Sequence, residues 1–128
     1  MRLLLDTHAL LWWLLDSPRL PETWRVALAS PASEVHVSAA SIWEIAIKRS
    51  LGKLELPLEE DIATLPERCG FEALPCTAAH AARTEALPAH HRDPFDRMLV
   101  AQSLCEQLAL VSLDPEIRRY DVSLFGRA

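Results

Sequence analysis

Four acidic residues, Asp6, Glu44, Asp96 and Asp114, set the chemistry open to this chain. Carboxylate oxygens are the ligands that magnesium and manganese prefer. An ion so held polarises a phosphate, generates hydroxide and steadies a leaving oxygen. Four such groups within a few ångströms would repel one another and raise some of their pKa values unless a cation neutralised them. A bound ion should therefore stabilise the fold as well as arm the site. Asp6 and Asp96 are expected to hold it most directly, with Asp114 and Glu44 completing the shell or orienting the attacking water.

Each acid also has a structural role open to it. Asp6 suits a strand-end turn, and Asp114-Pro115 and Asp93-Pro94 suit helix caps. Glu44 suits a capping box with Ser41, or a solvated helix face. For Asp93 the cap is the favoured role, worth about 0.5–2 kcal/mol. Function requires that distant positions be brought to one place, so the elements that carry them decide between the readings.

Residues 2–5 form a short apolar run that stops at Asp6, and a helical pattern from His8 to Leu15 follows. Ser17-Pro18 and Leu20-Pro21 break that helix, 22–29 reads as another, and Glu34 to Val37 alternates as a strand. Ser38 is placed to cap a helix from Ala39 to Ser50, with Gly52 as a left-handed stop. Residues 58–68 read as a further helix, Phe71 to Leu74 as a weak strand, 77–86 as an alanine-rich helix and Pro88 to Arg92 as a loop. Asp93-Pro94 then starts a helix running through Leu108, followed by an apolar strand from Ala109 to Leu113 that ends at Asp114. A short helical turn and a final strand over 121–125 close the chain.

Strands alternating with helices predict an α/β sandwich around a mostly parallel sheet. Ligands bind beyond the carboxyl ends of such strands, where Asp6 and Asp114 both fall. Glu44 and Asp96, in early turns of their helices, are expected at the same edge.

The chain's 128 residues, 50% hydrophobic and 24% charged, predict one domain over 1–128. It has no apolar run of about 18 residues, and Met1 to Leu5 reaches Asp6 too soon for a signal-peptide core, so a cytoplasmic location and no membrane partner are expected. Three cysteines, Cys69, Cys76 and Cys105, are expected as reduced thiols. A net charge of −5 argues against a general electrostatic grip on nucleic acid and leaves a local basic rim as the way to meet a phosphate backbone. Its candidates are Lys48, Arg49, Lys53, Arg92 and Arg97, with Arg97 the first choice for orienting substrate. Cys69, Cys76, His80, His90 and His91 match no familiar zinc spacing. Trp12, Trp13 and Trp43 suit base stacking or a partner's anchor, although aromatic residues on amphipathic helices more often pack in the core.

Four segments carry a family resemblance: Leu3-Leu4-Leu5-Asp6-Thr7-His8, Val37-Ser38-Ala39-Ala40-Ser41-Ile42-Trp43-Glu44-Ile45, His91-Arg92-Asp93-Pro94-Phe95-Asp96-Arg97-Met98-Leu99-Val100-Ala101-Gln102 and Leu110-Val111-Ser112-Leu113-Asp114. In this order, over nearly the whole chain, they resemble PIN-domain proteins, especially the VapC-type toxins. The resemblance implies a three-layer α/β/α sandwich with strand order 3-2-1-4-5 and RNA cleavage dependent on Mg2+ or Mn2+, leaving 5′-phosphate ends. It implies that Asp6, Glu44, Asp96 and Asp114 form the catalytic site, that Asp6, Asp96 and Asp114 bind the metal, and that Asp93 is an accessory acid. Thr7 and Ser112 would orient ligand or water. A homodimer and a separate antitoxin protein covering the active-site groove are implied as well.

Two other strand-plus-aspartate chemistries fit poorly. A haloacid-dehalogenase-like phosphotransferase needs a second acid where this chain has His8, and a receiver-like phosphoacceptor needs a late lysine, whereas the lysines here are Lys48 and Lys53. The alternative from another class is a protein-binding module whose acidic groove serves for docking, with minor or no catalysis.

Overall fold

The computed structural model describes residues 1–57, 61–90 and 92–126. Alternation explains how the first strand is built. In β1 (Arg2–Leu5), Leu3 and Leu5 belong to one hydrophobic cluster while Leu4 belongs to another, so the strand buries both faces. β2 (Glu34–Ser38), β3 (Glu72–Leu74) and β4 (Ala109–Val111) join it in one sheet of order β3-β2-β1-β4. All three pairings are parallel, with Leu5 level with Val37 on one side and with Val111 on the other.

Helices α1 (Thr7–Leu14), α2 (Glu22–Ala29) and α3 (Ala39–Ser50) place Leu10, Leu28 and Ile45 in the cluster with Leu3 and Leu5. On the opposite face, α6 (Pro94–Glu106) packs Leu99 and Val100 with Leu4 and Leu110. Between them in sequence come α4 (Leu65–Cys69) and α5 (Ala78–Arg83). The result is an α/β sandwich around a parallel sheet, as the alternating pattern predicts, in the three layers that the family resemblance implies. No helix among the described residues is long and apolar enough to cross a membrane.

The fifth strand is reduced to a single parallel bridge between Leu110 and Leu124. Leu110 N–H donates to the Ser123 carbonyl, and the Leu110 carbonyl accepts from Phe125 N–H, each at 2.8 Å. The chain then turns at Gly126 (φ +81°), where a Cβ would stand 3.0 Å from Trp24 Nε1. Before the bridge, Val122 N–H donates to the Tyr120 carbonyl at 3.0 Å, a turn that keeps 121–122 out of the sheet. The sheet order 3-2-1-4 thus carries the beginning of a fifth position beside β4.

Other boundaries moved by small amounts. The helix expected over 58–68 is a 3₁₀ turn at Ile62–Thr64 leading into α4; its start at 58–60 lies outside the described residues. The helix expected over 77–86 is α5 plus a 3₁₀ turn at Thr84–Ala86. Helix α6 stops at Glu106 because Gln107 adopts a left-handed conformation (φ 56°). β4 ends at Val111, two residues before the expected Leu113, because the Ser112 hydroxyl turns the chain by accepting Asp114 N–H. The expected caps are in place: Ser38 accepts Ala40 N–H at 3.0 Å, and Gly52 is left-handed (φ +69°) beyond the end of α3.

Candidate active site

The carboxyl ends of β1 and β4 meet through Asp6 N–H, which donates to the Val111 carbonyl at 3.2 Å. Asp6 is 3% exposed and caps α1, accepting Ala9 N–H at 2.7 Å. The Ser112 hydroxyl bonds the Asp6 carboxylate and accepts Asp114 N–H at 3.1 Å, tying the two acids through one side chain. Asp114 also accepts Glu116 N–H at 2.8 Å, and Arg118 donates to the Ser112 carbonyl at 3.1 Å, so the strand-end loop is fixed at several points. Burial pushes the Asp6 carboxyl up from its ordinary value. Ser112, Ala9 N–H and His8 oppose that push, and the negative charge of Asp114 adds to it.

Thr7 is buried and donates to Ser41 Oγ at 3.1 Å, joining the corner after β1 to the first turn of α3. Ser41 therefore ties Thr7 to α3 and does not form the expected capping box with Glu44; Ser38 occupies the cap position. Glu44, 6% exposed, bonds Lys48 Nζ at 2.7 Å through one oxygen, while its other oxygen is buried with no hydrogen-bond partner among the described residues. That orphaned oxygen and the all-carboxylate donor set suit a hard divalent cation.

Asp93 caps α6, accepting from Phe95 N–H at 2.9 Å and Asp96 N–H at 3.3 Å. Because α6 runs antiparallel to the strands, its first turn and Asp96 lie at the edge carrying Asp6 and Asp114. Trp43, beside Glu44, meets Phe95, beside Asp96, edge-on with centroids 5.1 Å apart, and so bridges the two acid-bearing helices. All four acids thus occupy segments at one edge. Among the described residues, however, no group of three or more carboxylate, histidine or cysteine side chains is placed to hold an ion. Asp6 and Asp114 are the pair the structure brings together.

Arg97 stands elsewhere than expected. Its guanidinium donates to the Pro88 carbonyl at 3.0 Å, the Thr84 carbonyl at 2.9 Å and the Tyr120 hydroxyl at 3.3 Å, stapling the loop before α6 instead of lining the acidic groove. His80 is likewise engaged in structure, between Glu106 Oε2 at 2.9 Å and Thr77 N–H at 3.1 Å. Cys69, Cys76 and Cys105 are free thiols, and His91 lies outside the described residues. Sequence reasoning gave Ser41 a different partner and missed Arg118 and Arg19. The last is exposed on the rim of a groove of ≈ 290 Å³ lined also by Asp6, His8, Trp12 and Asp114.

The PIN domain family profile matches residues 3–123. The chain belongs to the PIN domain family. PIN domains are in general metal-dependent nucleases. Sixteen chains of solved structures match it. One is the crystal structure of VapBC2 from Rickettsia felis bound to a DNA fragment from their promoter. It shares 13% identity over 97% of this chain and 96% of that one, with a TM-score of 0.69, which fixes the likeness as one of fold. None of the curated proteins matches this chain.

Proposed function

We propose that this PIN domain is a metal-dependent endoribonuclease and the toxin of a toxin–antitoxin pair. The observation that carries the reading is the buried Asp6, tied through Ser112 to Asp114, on the floor of an open groove. Asp6, Asp96 and Asp114 would hold Mg2+ or Mn2+, with Asp93 accessory through its cap on the same turn. When bound, the ion supplies Lewis acidity toward a phosphate and a lowered pKa for water. The protein's own groups prepare the place. Ser112 orients Asp6, Thr7 and Ser41 hold α3 against α1, and Glu44 keeps an unpartnered oxygen at that edge.

In the metal-free chain the Lys48 ammonium is the cation that neutralises Glu44. Replacing it should expose what the ion must do. Lys48→Met is expected to lower metal-free stability by about 1 kcal/mol, a modest figure because Lys48 is partly solvated, and to leave the Mn2+-saturated protein nearly unchanged. Urea titration with and without Mn2+ measures both.

Two features support a protein partner. The Rickettsia felis structure is of VapBC2, and Trp43 here is 62% exposed between two largely apolar cavities, each ≈ 420 Å³. An antitoxin, a second copy of the chain in a homodimer and a cytoplasmic setting complete the proposal. The competing docking-module reading is favoured by one observation: the acids do not close into a ligand group of three among the described residues. Incubation of mixed-sequence RNA with the purified chain separates the two. Cutting in Mn2+ that stops in EDTA and leaves 5′-phosphate ends supports the nuclease. Cutting that persists in EDTA, or none across a sequence-diverse pool, overturns it.

A further inference from the structure

The groove over Asp6 and Asp114 also has an aromatic wall. His8 and Trp12, one helical turn apart on α1, stack with ring centroids 6.1 Å apart and an interplanar angle of 29°. Trp12 packs on the hydrophobic core, which holds its plane, while His8 is exposed. Leu113 and Pro115 line the groove with them, and Leu113 is 43% exposed. Arg19 reaches the rim on a tight turn in which Ser17 N–H donates to the Trp12 carbonyl at 2.8 Å and Arg19 N–H donates to Ser17 Oγ at 3.2 Å.

We propose that this groove is a base-binding subsite, in which one unstacked nucleobase of single-stranded RNA lies against the His8–Trp12 pair and Arg19 takes the adjoining phosphate. It rests on the ribonuclease reading and deepens it. Chemistry divides the groove. The acids on the floor belong to the ion and the scissile phosphate, while the uncharged base faces the His8–Trp12 wall and Arg19 at the rim takes the phosphate on the base's other side. The ≈ 290 Å³ groove is at the small end of ligand sites, about 300 Å³, and its aromatic side admits no more than one base. A base paired within a helix cannot offer its face to an aromatic side chain, so the subsite selects single strands, loops or bulges. Trp12 is a positioning residue here: it fixes which nucleotide precedes or follows the phosphate above Asp6.

The test is a ¹H–¹⁵N spectrum of the metal-free full chain in EDTA, with the Trp12 indole N–H signal assigned through Trp12→Phe. The probes are AMP, GMP, CMP, UMP, adenosine and ribose 5-phosphate. At least one nucleotide is expected to move the Trp12 signal, and ribose 5-phosphate to leave it in place. Arg19→Ala should weaken that nucleotide by about ten-fold and leave adenosine unaffected, whereas Trp12→Ala should weaken both by about ten-fold or more, read from other shifted signals. Ribose 5-phosphate moving Trp12 as much as the nucleotides would reduce the groove to an anion site and overturn the proposal. Nucleotides that leave Trp12 unmoved do so as well. Because no cleavage is involved, a chain that cuts RNA in Mn2+ yet fails here keeps its nuclease reading and loses only this subsite.

Discussion

Asp6→Asn is expected to melt above the parent protein when no metal is present at pH 7, and below it in saturating Mn2+. The reversal follows from burial. Asp6 is almost wholly removed from water, and its carboxyl is held above its ordinary value mainly by that desolvation, with Asp114 adding repulsion. A carboxyl whose folded pKa is raised binds its proton more tightly in the native state than in the unfolded one. Its contribution is therefore full below the unfolded value of 3.8 and is lost as pH climbs through the raised folded value. Beyond that window the ionised group is a standing cost. Asparagine removes the charge, keeps an oxygen for Ala9 N–H and remains a good cap, so the metal-free variant should gain roughly 1 kcal/mol, a few degrees for a chain of this size.

On the proposed function manganese inverts the order, because it would bind the ionised native site. A ligand at 100 times its dissociation constant adds about 2.7 kcal/mol, which Asp6→Asn and Asp96→Asn should both forfeit. Cleavage should fall in both variants by about two to three orders of magnitude, equivalent to roughly 3–4 kcal/mol of transition-state stabilisation. Thermal melts between pH 4 and 8, with and without Mn2+, read the stability terms, and the metal-free gap should narrow toward pH 4. An Asp6→Asn protein that is less stable at every pH without metal, or one whose Mn2+ response equals the parent's, would remove Asp6 from the metal site.

The parts of this site legible in the sequence are those encoded within a few residues. An apolar run ending in an acid marks Asp6 at a strand end, and Asp93-Pro94 marks a helix start, because capping and alternation are satisfied by immediate neighbours. Alternation of Leu3, Leu4 and Leu5 between two clusters gives the layered fold for the same reason. What escaped was set by tertiary reach. Ser41 meets Thr7 from 34 residues away, and Arg118 reaches the Ser112 carbonyl only because the chain after β4 folds back on the strand end. The last strand was overread because the sequence shows apolar residues at Val122 and Leu124 but not the turn in which Val122 N–H donates to the Tyr120 carbonyl. Long cations are the least legible of all, since a flexible side chain takes whichever acceptors the fold supplies.

Arg97 puts that last point to a quantitative test. It sits one residue after Asp96, where a phosphate-contacting cation would be expected, yet its acceptors lie 9, 13 and 23 residues away, at Pro88, Thr84 and Tyr120. Three segments therefore depend on one planar fork, including the loop that leads into the Asp93 cap. Arg97→Ala should cost about 2–3 kcal/mol, because carbonyls that accepted from a charged donor lose their partner in a partly buried setting. Arg97→Lys should recover less than half of this, since one ammonium cannot span three separated acceptors. A rim cation behaves in the opposite way: its loss leaves stability within about 0.5 kcal/mol and reduces the salt dependence of RNA binding by roughly one counterion. Urea denaturation together with RNA binding at several salt concentrations therefore distinguishes the roles. Reduced stability with an unchanged salt slope is expected. The reverse pattern would return Arg97 to the RNA-binding surface and require the staple to be a secondary contact.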